Sequence, residues 1–221
     1  MKIINRILPV ALMLVVATAV FAGENKMTEG SKKIAASAED ICPLLVGAKI
    51  PTITIKTHDG ADFDLNAVVA QKPTVLIFYR GGWCPYCNLH LGELQKIEPD
   101  LLNLGYQIIA ISVDRFEKLA PTIEKQKLNY TLLADDRAMA TTAFGLAYKV
   151  SEANFQRLKG FGLDIEEASG QNHHILPVPA AFLVGTDGVI KFSYVNPNYK
   201  VRVKADILLA AAKTELKANK K

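Results

Sequence analysis

The spacing of apolar side chains changes period several times between residues 41 and 217, and each change marks an element. Ile53-Thr54-Ile55 alternates as a short strand does, and His58-Asp59-Gly60 reads as a turn. Leu65 to Ala70 predicts a brief helix capped by Asp64. Val75 to Tyr79 is a near-continuous apolar run, the pattern of a central strand buried on both faces. Leu89, Leu91, Leu94, Ile97, Leu101 and Leu104 then recur at helical spacing until Gly105 stops them. Ile108 to Val113 reads as a second buried strand with a turn at Asp114. Phe116, Leu119, Ile123 and Leu128 predict the next helix, with Pro121 near its first turns. Thr131-Leu132-Leu133 is a short strand, and Asp135 to Gly145 a short helix.

Residues 146–176 break this alternation. Glu152 to Leu158 is helical in pattern, but Gly160, Gly162, Ser169 and Gly170 predict loop around it, as in an inserted excursion. The alternation resumes with a strand at Ala180 to Val184, a turn at Thr186-Asp187-Gly188 and a return strand at Val189 to Val195. A closing helix is expected over Lys204 to Leu216. The sum is an α/β chain: a right-handed βαβ unit and a terminal hairpin, forming a central mixed β-sheet flanked by helices.

The N-terminus reads differently. Lys2 and Arg6 precede an apolar stretch, Ile7 to Val20, and Val20-Phe21-Ala22 offers a small-residue cleavage site before Gly23. The expectation is a signal peptide over 1–22, a flexible lead-in over 23–40 and one domain over 41–217, in the periplasm or secreted. The apolar stretch is short of the roughly 20 residues a span requires, so no stable membrane insertion is expected after cleavage. An uncleaved anchor is the alternative. The formal charge of +4 falls to about +2 without Lys2 and Arg6, which implies no nucleic-acid partner. The lysines at 213, 217, 220 and 221 read as a solvated helix end.

Chemistry concentrates in Phe78-Tyr79-Arg80-Gly81-Gly82-Trp83-Cys84-Pro85-Tyr86-Cys87. A buried strand ends in two glycines and a helix follows at once, which places Cys84 at a helix N-terminus, where unpaired amide N–H groups favour a thiolate. Cys87, one turn along, shares that face and can attack a mixed disulfide or sulfenic acid on Cys84. Half a zinc site and an inert bridge are the other readings, but zinc needs a second ligand pair and so short a loop gains little from closure. Cys42 is the odd third cysteine.

Trp83-Cys84-x-x-Cys87 after a strand, with Val178-Pro179 ahead of another, resembles the thioredoxin fold, in which a cis-proline faces the cysteine pair; Pro179 matches it by position. Over Ile41 to Leu216 the chain is similar to the AhpC/TSA group of peroxiredoxin-like proteins. The likeness rests on Leu44-Leu45-Val46-Gly47, Val113-Asp114, Tyr130 to Asp135, Phe144-Gly145-Leu146 and Phe182 to Ile190, besides the Gly-Gly-Trp-Cys-Pro-Tyr-Cys branch signature. It implies a thioredoxin-like fold with an inserted loop and helix before the cis-proline strand. It also implies a thiol peroxidase acting on hydrogen peroxide or organic hydroperoxides. In that reading Cys84 is the peroxide-attacking thiol, Cys87 resolves it to a disulfide, a thioredoxin-like donor recycles the pair, and no cofactor or metal is needed.

Two departures stand out. Peroxiredoxins usually carry Pro-x-x-x-Thr/Ser-x-x-Cys, whereas Arg80-Gly81-Gly82-Trp83 precedes Cys84, and Pro177-Val178-Pro179 stands where a distant arginine is usual. Both favour a protein disulfide exchanger, with Pro179 against the bound polypeptide and Trp83 shielding the thiolate. Arg80 is the candidate replacement cation. A non-catalytic alternative is Cu(I) held by Cys84, Cys87 and His173 or His174. Coverage of the whole scaffold carries the peroxidase expectation ahead of these.

Overall fold

The computed structural model describes residues 33–218, all within one unit; the expected signal peptide, residues 23–32 and residues 219–221 lie outside the described residues. β1 (Thr54–Thr57), β2 (Asp62–Asp64) and the short α1 (Leu65–Val69) come first. Asp64 accepts from the Ala67 N–H at 3.0 Å, the expected N-cap. β3 (Thr74–Phe78) is buried at every position, leads to α2 (Pro85–Asn103), and is followed by β4 (Gln107–Ser112). Gly105, at φ +83°, ends the α2 region in the left-handed conformation that glycine adopts without penalty. A 3₁₀ turn over Phe116–Lys118 precedes α3 (Leu119–Gln126), which Lys127 ends in the left-handed region, so Leu128 falls outside that helix. Pro121 is its third residue, where a missing N–H costs nothing.

β5 (Thr131–Ala134) and α4 (Met139–Ala143) lead into the segment expected to be loop and helix. The expected helix is present as Glu152–Gly160, and the segment holds further elements that the pattern did not show. β6 (Ala147–Lys149) and β7 (Ile175–Pro177) form an antiparallel pair enclosing α5 (Glu152–Gly160) and α6 (Ile165–Ser169). Phe155, Ile165, Ile175 and Leu176 bury a small core of their own against Val113 and Trp83. The described part of the lead-in is not loose either. Ala35 bridges to Tyr148, exchanging hydrogen bonds with Ala147 and Lys149 at 2.9 Å. Three-residue strands are too short to show a period, and this is why the pattern failed there.

β8 (Ala180–Val184), β9 (Ile190–Val195) and α7 (Ala205–Ala218) complete the chain. The main sheet runs β2-β1-β5-β4-β3-β8-β9, with β3, β4 and β5 parallel and the remaining pairs antiparallel. Side chains of β3 alternate between two cores, as a strand's period of two requires. Val75, Ile77 and Tyr79 meet Leu91, Leu94 and Leu101 of α2 and Leu208 of α7; Leu76 and Phe78 meet Leu65, Phe144 and Phe182 on the other face. Each such aliphatic or aromatic side chain contributes roughly 1.5–3 kcal/mol on burial. These two packed faces fix the end of β3, where the site lies.

Candidate active site

The polypeptide leaves β3 through two glycines that no other residue replaces without movement. Gly81 has φ +151°, and a Cβ there would lie 2.6 Å from Asp114 Oδ1 and overlap the Trp83 indole N–H. A Cβ on Gly82 would overlap Thr122 Oγ1. The Gly82 peptide is held at both ends: its N–H donates to Asp114 Oδ2 at 2.7 Å, and its carbonyl accepts from Asn88 Nδ2 at 2.8 Å. Burial pushes the Asp114 carboxyl up to about 7, partly opposed by that Gly82 bond.

Cys84 is the N-cap of α2, with extended backbone (φ −87°, ψ 115°) and Pro85 as the first helical residue. Its carbonyl accepts from the Cys87 and Asn88 N–H groups at 3.1 and 3.0 Å, and its own N–H donates to Gly81 O at 3.1 Å. Both Cys84 and Cys87 are buried thiols. The Cys84 thiol is pulled down to about 6, chiefly by the Cys87 side chain donating to it, then by the charge of Arg80, the Cys87 backbone and the charge of Arg202, against the cost of burial. Cys87 moves the other way: burial, and then its bond to Cys84, push it well above an ordinary thiol. The two sulfurs are thus shifted in opposite directions, Cys84 toward the thiolate and Cys87 toward the thiol, with distinct roles set by position.

Cations surround it. Arg80 is only 6% exposed, with its guanidinium carbon 5.0 Å from the centre of the Trp83 ring and 4.1 Å from that of Tyr199. Tyr199 meets Tyr86 edge-on at 5.7 Å. Arg202 Nη2 donates to Cys87 Sγ at 3.4 Å. His90, a turn further along α2, is buried and pushed down to about 4 by burial and by Arg202.

The structure thus brings Cys84, Cys87, Arg80 and Trp83 together. It places Pro179 differently from expectation. Among the described residues no peptide bond is cis. Val178 N–H donates to Leu146 O at 2.9 Å, and Ala180 pairs with Phe78, so the chain is tied to neighbouring strands on both sides of Pro179. Pro179 is buried between β7 and β8, beside the end of β3. The two histidines are also engaged elsewhere. His173 Nε2 lies 2.8 Å from Asp136 O, and His174 Nε2 lies 2.7 Å from Glu166 while its ring stacks on Phe155. Among the described residues no group of three or more His, Cys, Asp or Glu is placed to hold a metal ion. Arg202, Tyr199 and the Asp114 clamp were not read as site residues from sequence; Arg202 lies 115 residues from Cys87 in a segment without a motif.

A mixed sheet with a dithiol at the C-terminal end of its central strand, on a helix N-terminus, defines a thioredoxin-fold thiol protein. Residues 46–193 match the AhpC/TSA family, and the chain belongs to that family. Peroxiredoxin Bcp of Escherichia coli K12 is 27% identical over 167 residues, covering 76% of this chain and 94% of that protein. Among solved structures, reduced Prx3 of Vibrio vulnificus in complex with hydrogen peroxide superposes with a TM-score of 0.63 at 22% identity, covering 76% of this chain and 99% of that one. The peroxidoxin BcpB of Mycobacterium tuberculosis gives 0.60 at 17%, covering 76% and 96%. These two likenesses establish the shared fold. Among the described residues no helix is long and apolar enough to cross a membrane.

Proposed function

We propose that this chain is a thiol-dependent peroxidase in which Cys84 attacks the peroxide and Cys87 resolves it. The observation that carries the reading is a buried thiol at the N-cap of α2 with a second buried thiol one turn along and Arg202 donating to that second sulfur. The Cys84 thiolate attacks one peroxide oxygen, the O–O bond breaks, and the departing alkoxide or hydroxide takes a proton from solvent. Cys84 is left as a sulfenic acid. Cys87 sulfur then bonds to Cys84 sulfur, water leaves, and a thioredoxin-like dithiol returns the disulfide to two thiols. Cys87 and then Arg80 favour the ionised nucleophile, Trp83 and Tyr199 hold Arg80, and the scheme requires no metal or cofactor. Hydrogen peroxide and organic hydroperoxides are the substrate class.

The test is consumption of hydrogen peroxide and an organic hydroperoxide by the reduced protein. Wild type should consume both, Cys84→Ser neither, and Cys87→Ser should accumulate sulfenic or over-oxidised Cys84. Insulin reduction without any Cys84-dependent peroxide loss would replace this reading by disulfide exchange. We also propose export to the periplasm, supported by the basic start, the apolar stretch and Val20-Phe21-Ala22. Cell fractionation with N-terminal sequencing should find a chain beginning at Gly23; a cytoplasmic chain retaining Met1 would refute it.

A further inference from the structure

The segment joining β9 to α7 closes over the cysteine pair. Asn196 Oδ1 accepts from the Asn198 N–H at 3.0 Å, and Asn198 Oδ1 from the Lys200 N–H at 3.1 Å. These two turns deliver Tyr199 onto Arg80 and Arg202 onto Cys87. Arg202 divides its guanidinium. Nη1 donates to the carbonyl oxygens of Tyr199 and Val201, and Nη2 reaches Cys87 Sγ at 3.4 Å. Nε is buried without a partner, and among the described residues no carboxylate forms an ion pair with Arg202. A half-buried cation paired with no carboxylate and aimed at a sulfur is more than a loop anchor needs, since the two carbonyl bonds alone would fix the loop.

Cys87 has a chemical problem that such a cation answers. It is buried and protonated at neutral pH, yet it must act as a nucleophile. We propose that Arg202 is a catalytic residue of ring closure, its guanidinium stabilising the negative charge that develops on Cys87 Sγ as that sulfur attacks oxidised Cys84. The inference rests on the peroxidase reading for its physiological setting. In the step, the Cys84 S–O bond breaks as the S–S bond forms. The Cys87 proton passes to the departing hydroxyl oxygen, which leaves as water. The Cys84 sulfur is reduced from sulfenic acid to disulfide level and the Cys87 sulfur is oxidised to it. On recycling, the dithiol reductant attacks Cys84, Cys87 leaves as a thiolate against Arg202, and it then regains a proton.

The groups facing Cys87 are Cys84 at the start of α2, Tyr79 and the Arg80 backbone just after β3 and Arg202 ahead of α7, with His90 of α2 facing Arg202. Tyr79 and His90 are uncharged near neutrality, so Arg80 and Arg202 are the cations present. Arg80 bears first on Cys84, and Arg202 makes the contact with Cys87. A charge-assisted hydrogen bond of this kind corresponds to about ten- to a hundredfold in rate.

The experiment compares wild type, Arg202→Met and Arg202→Lys in two single-turnover reactions. One starts from peroxide, with sulfenic acid formation and disulfide closure resolved by the emission of Trp83, the chain's single tryptophan. The other starts without peroxide, from a mixed disulfide between Cys84 and a coloured aromatic thiol, whose release by Cys87 reports closure directly. In Arg202→Met, closure should slow at least about tenfold more than sulfenic acid formation, and its pH profile should move upward. More Cys84 should over-oxidise at high peroxide, and Arg202→Lys should recover part of the closure rate. Proportional slowing of both steps, an unmoved pH profile, or equal loss in Lys and Met would overturn the assignment and leave Arg202 as a loop anchor. Should Met unfold the segment by circular dichroism, the Lys variant's closure profile against wild type decides. A wild-type chain that ignores peroxide yet expels the aromatic thiol sinks the peroxidase reading and still tests Arg202.

Discussion

Replacing Cys87 by alanine should make Cys84 a poorer nucleophile before resolution even begins. Cys84 is drawn from 9.0 to about 6, three pKa units, which is on the order of 4 kcal/mol in favour of the thiolate. The largest single cause is the hydrogen bond from Cys87. A bond to a charged group is worth roughly 1.5–3 kcal/mol, or about one to two pKa units, so Cys87→Ala should titrate Cys84 near roughly 7–8. At pH 7 the ionised fraction would fall from about 90% to between about 50% and 10%, and the first-step peroxide rate roughly two- to tenfold. Near pH 9 the variant and wild-type rates should converge. Cys87→Ser keeps an O–H donor and should titrate between the two. The assay is ultraviolet thiolate absorbance against pH, with sulfenic acid formation in a single turnover so that loss of the resolving thiol does not interfere. Stability should follow the same sign. A depressed thiol pKa contributes stability that is full above the unfolded value, near 9, and is lost as pH falls through about 6. Wild type should therefore gain more than Cys87→Ala between pH 7 and 8.5. If wild type, Ala and Ser titrate together, the Cys87 thiol does not hold Cys84 ionised and the electrostatic argument for the pair fails.

Gly82→Ala should destabilise by about 1–3 kcal/mol because its Cβ overlaps Thr122 Oγ1, and Thr122→Ala should relieve much of that cost; urea unfolding of the double-mutant cycle measures the coupling. Arg80→Met removes the second-largest influence lowering Cys84 and vacates the space between Trp83 and Tyr199, so the rise of peroxide rate with pH should shift upward and Trp83 emission should change. His90 is pushed from 6.5 to about 4, a difference worth roughly 3 kcal/mol. That stability is present above 6.5 and lost as pH falls through about 4, so His90→Leu should lose less stability than wild type between pH 7 and pH 4 in urea melts.

The scaffold was legible wherever burial imposes a period on the chain. β3 is enclosed on both faces and reads as an unbroken apolar run; α2 presents Leu91, Leu94 and Leu101 to the core at helical spacing. Leu89 was read with that spacing yet is 64% exposed, since it stands two residues from Leu91 and so points away from the buried face. β6 and β7 were not legible, since three residues show no period and their partners lie 26 or more residues away. The site divides along the same line. Cys84 and Cys87 stand in one local motif, and their helix-terminal placement follows from the strand and glycines before them. The clamp between Gly82 and Asp114 joins residues 32 apart, and Arg202 meets Cys87 across 115. Such pairs carry no local signature. This also changes the meaning of the family departures. The hydroxyl before the nucleophile and the arginine ahead of the later strand are absent from the motif positions, which by sequence weighs against peroxide chemistry. A thiolate, however, requires positive charge nearby, not charge from one particular element. Here Arg80 supplies it from the end of β3 and Arg202 from the segment before α7. Arg80 was the candidate cation within the motif, while Arg202 stands at a position that gave no reason to expect it, so a missing motif residue weakens a functional reading only until the field around the sulfur has been traced.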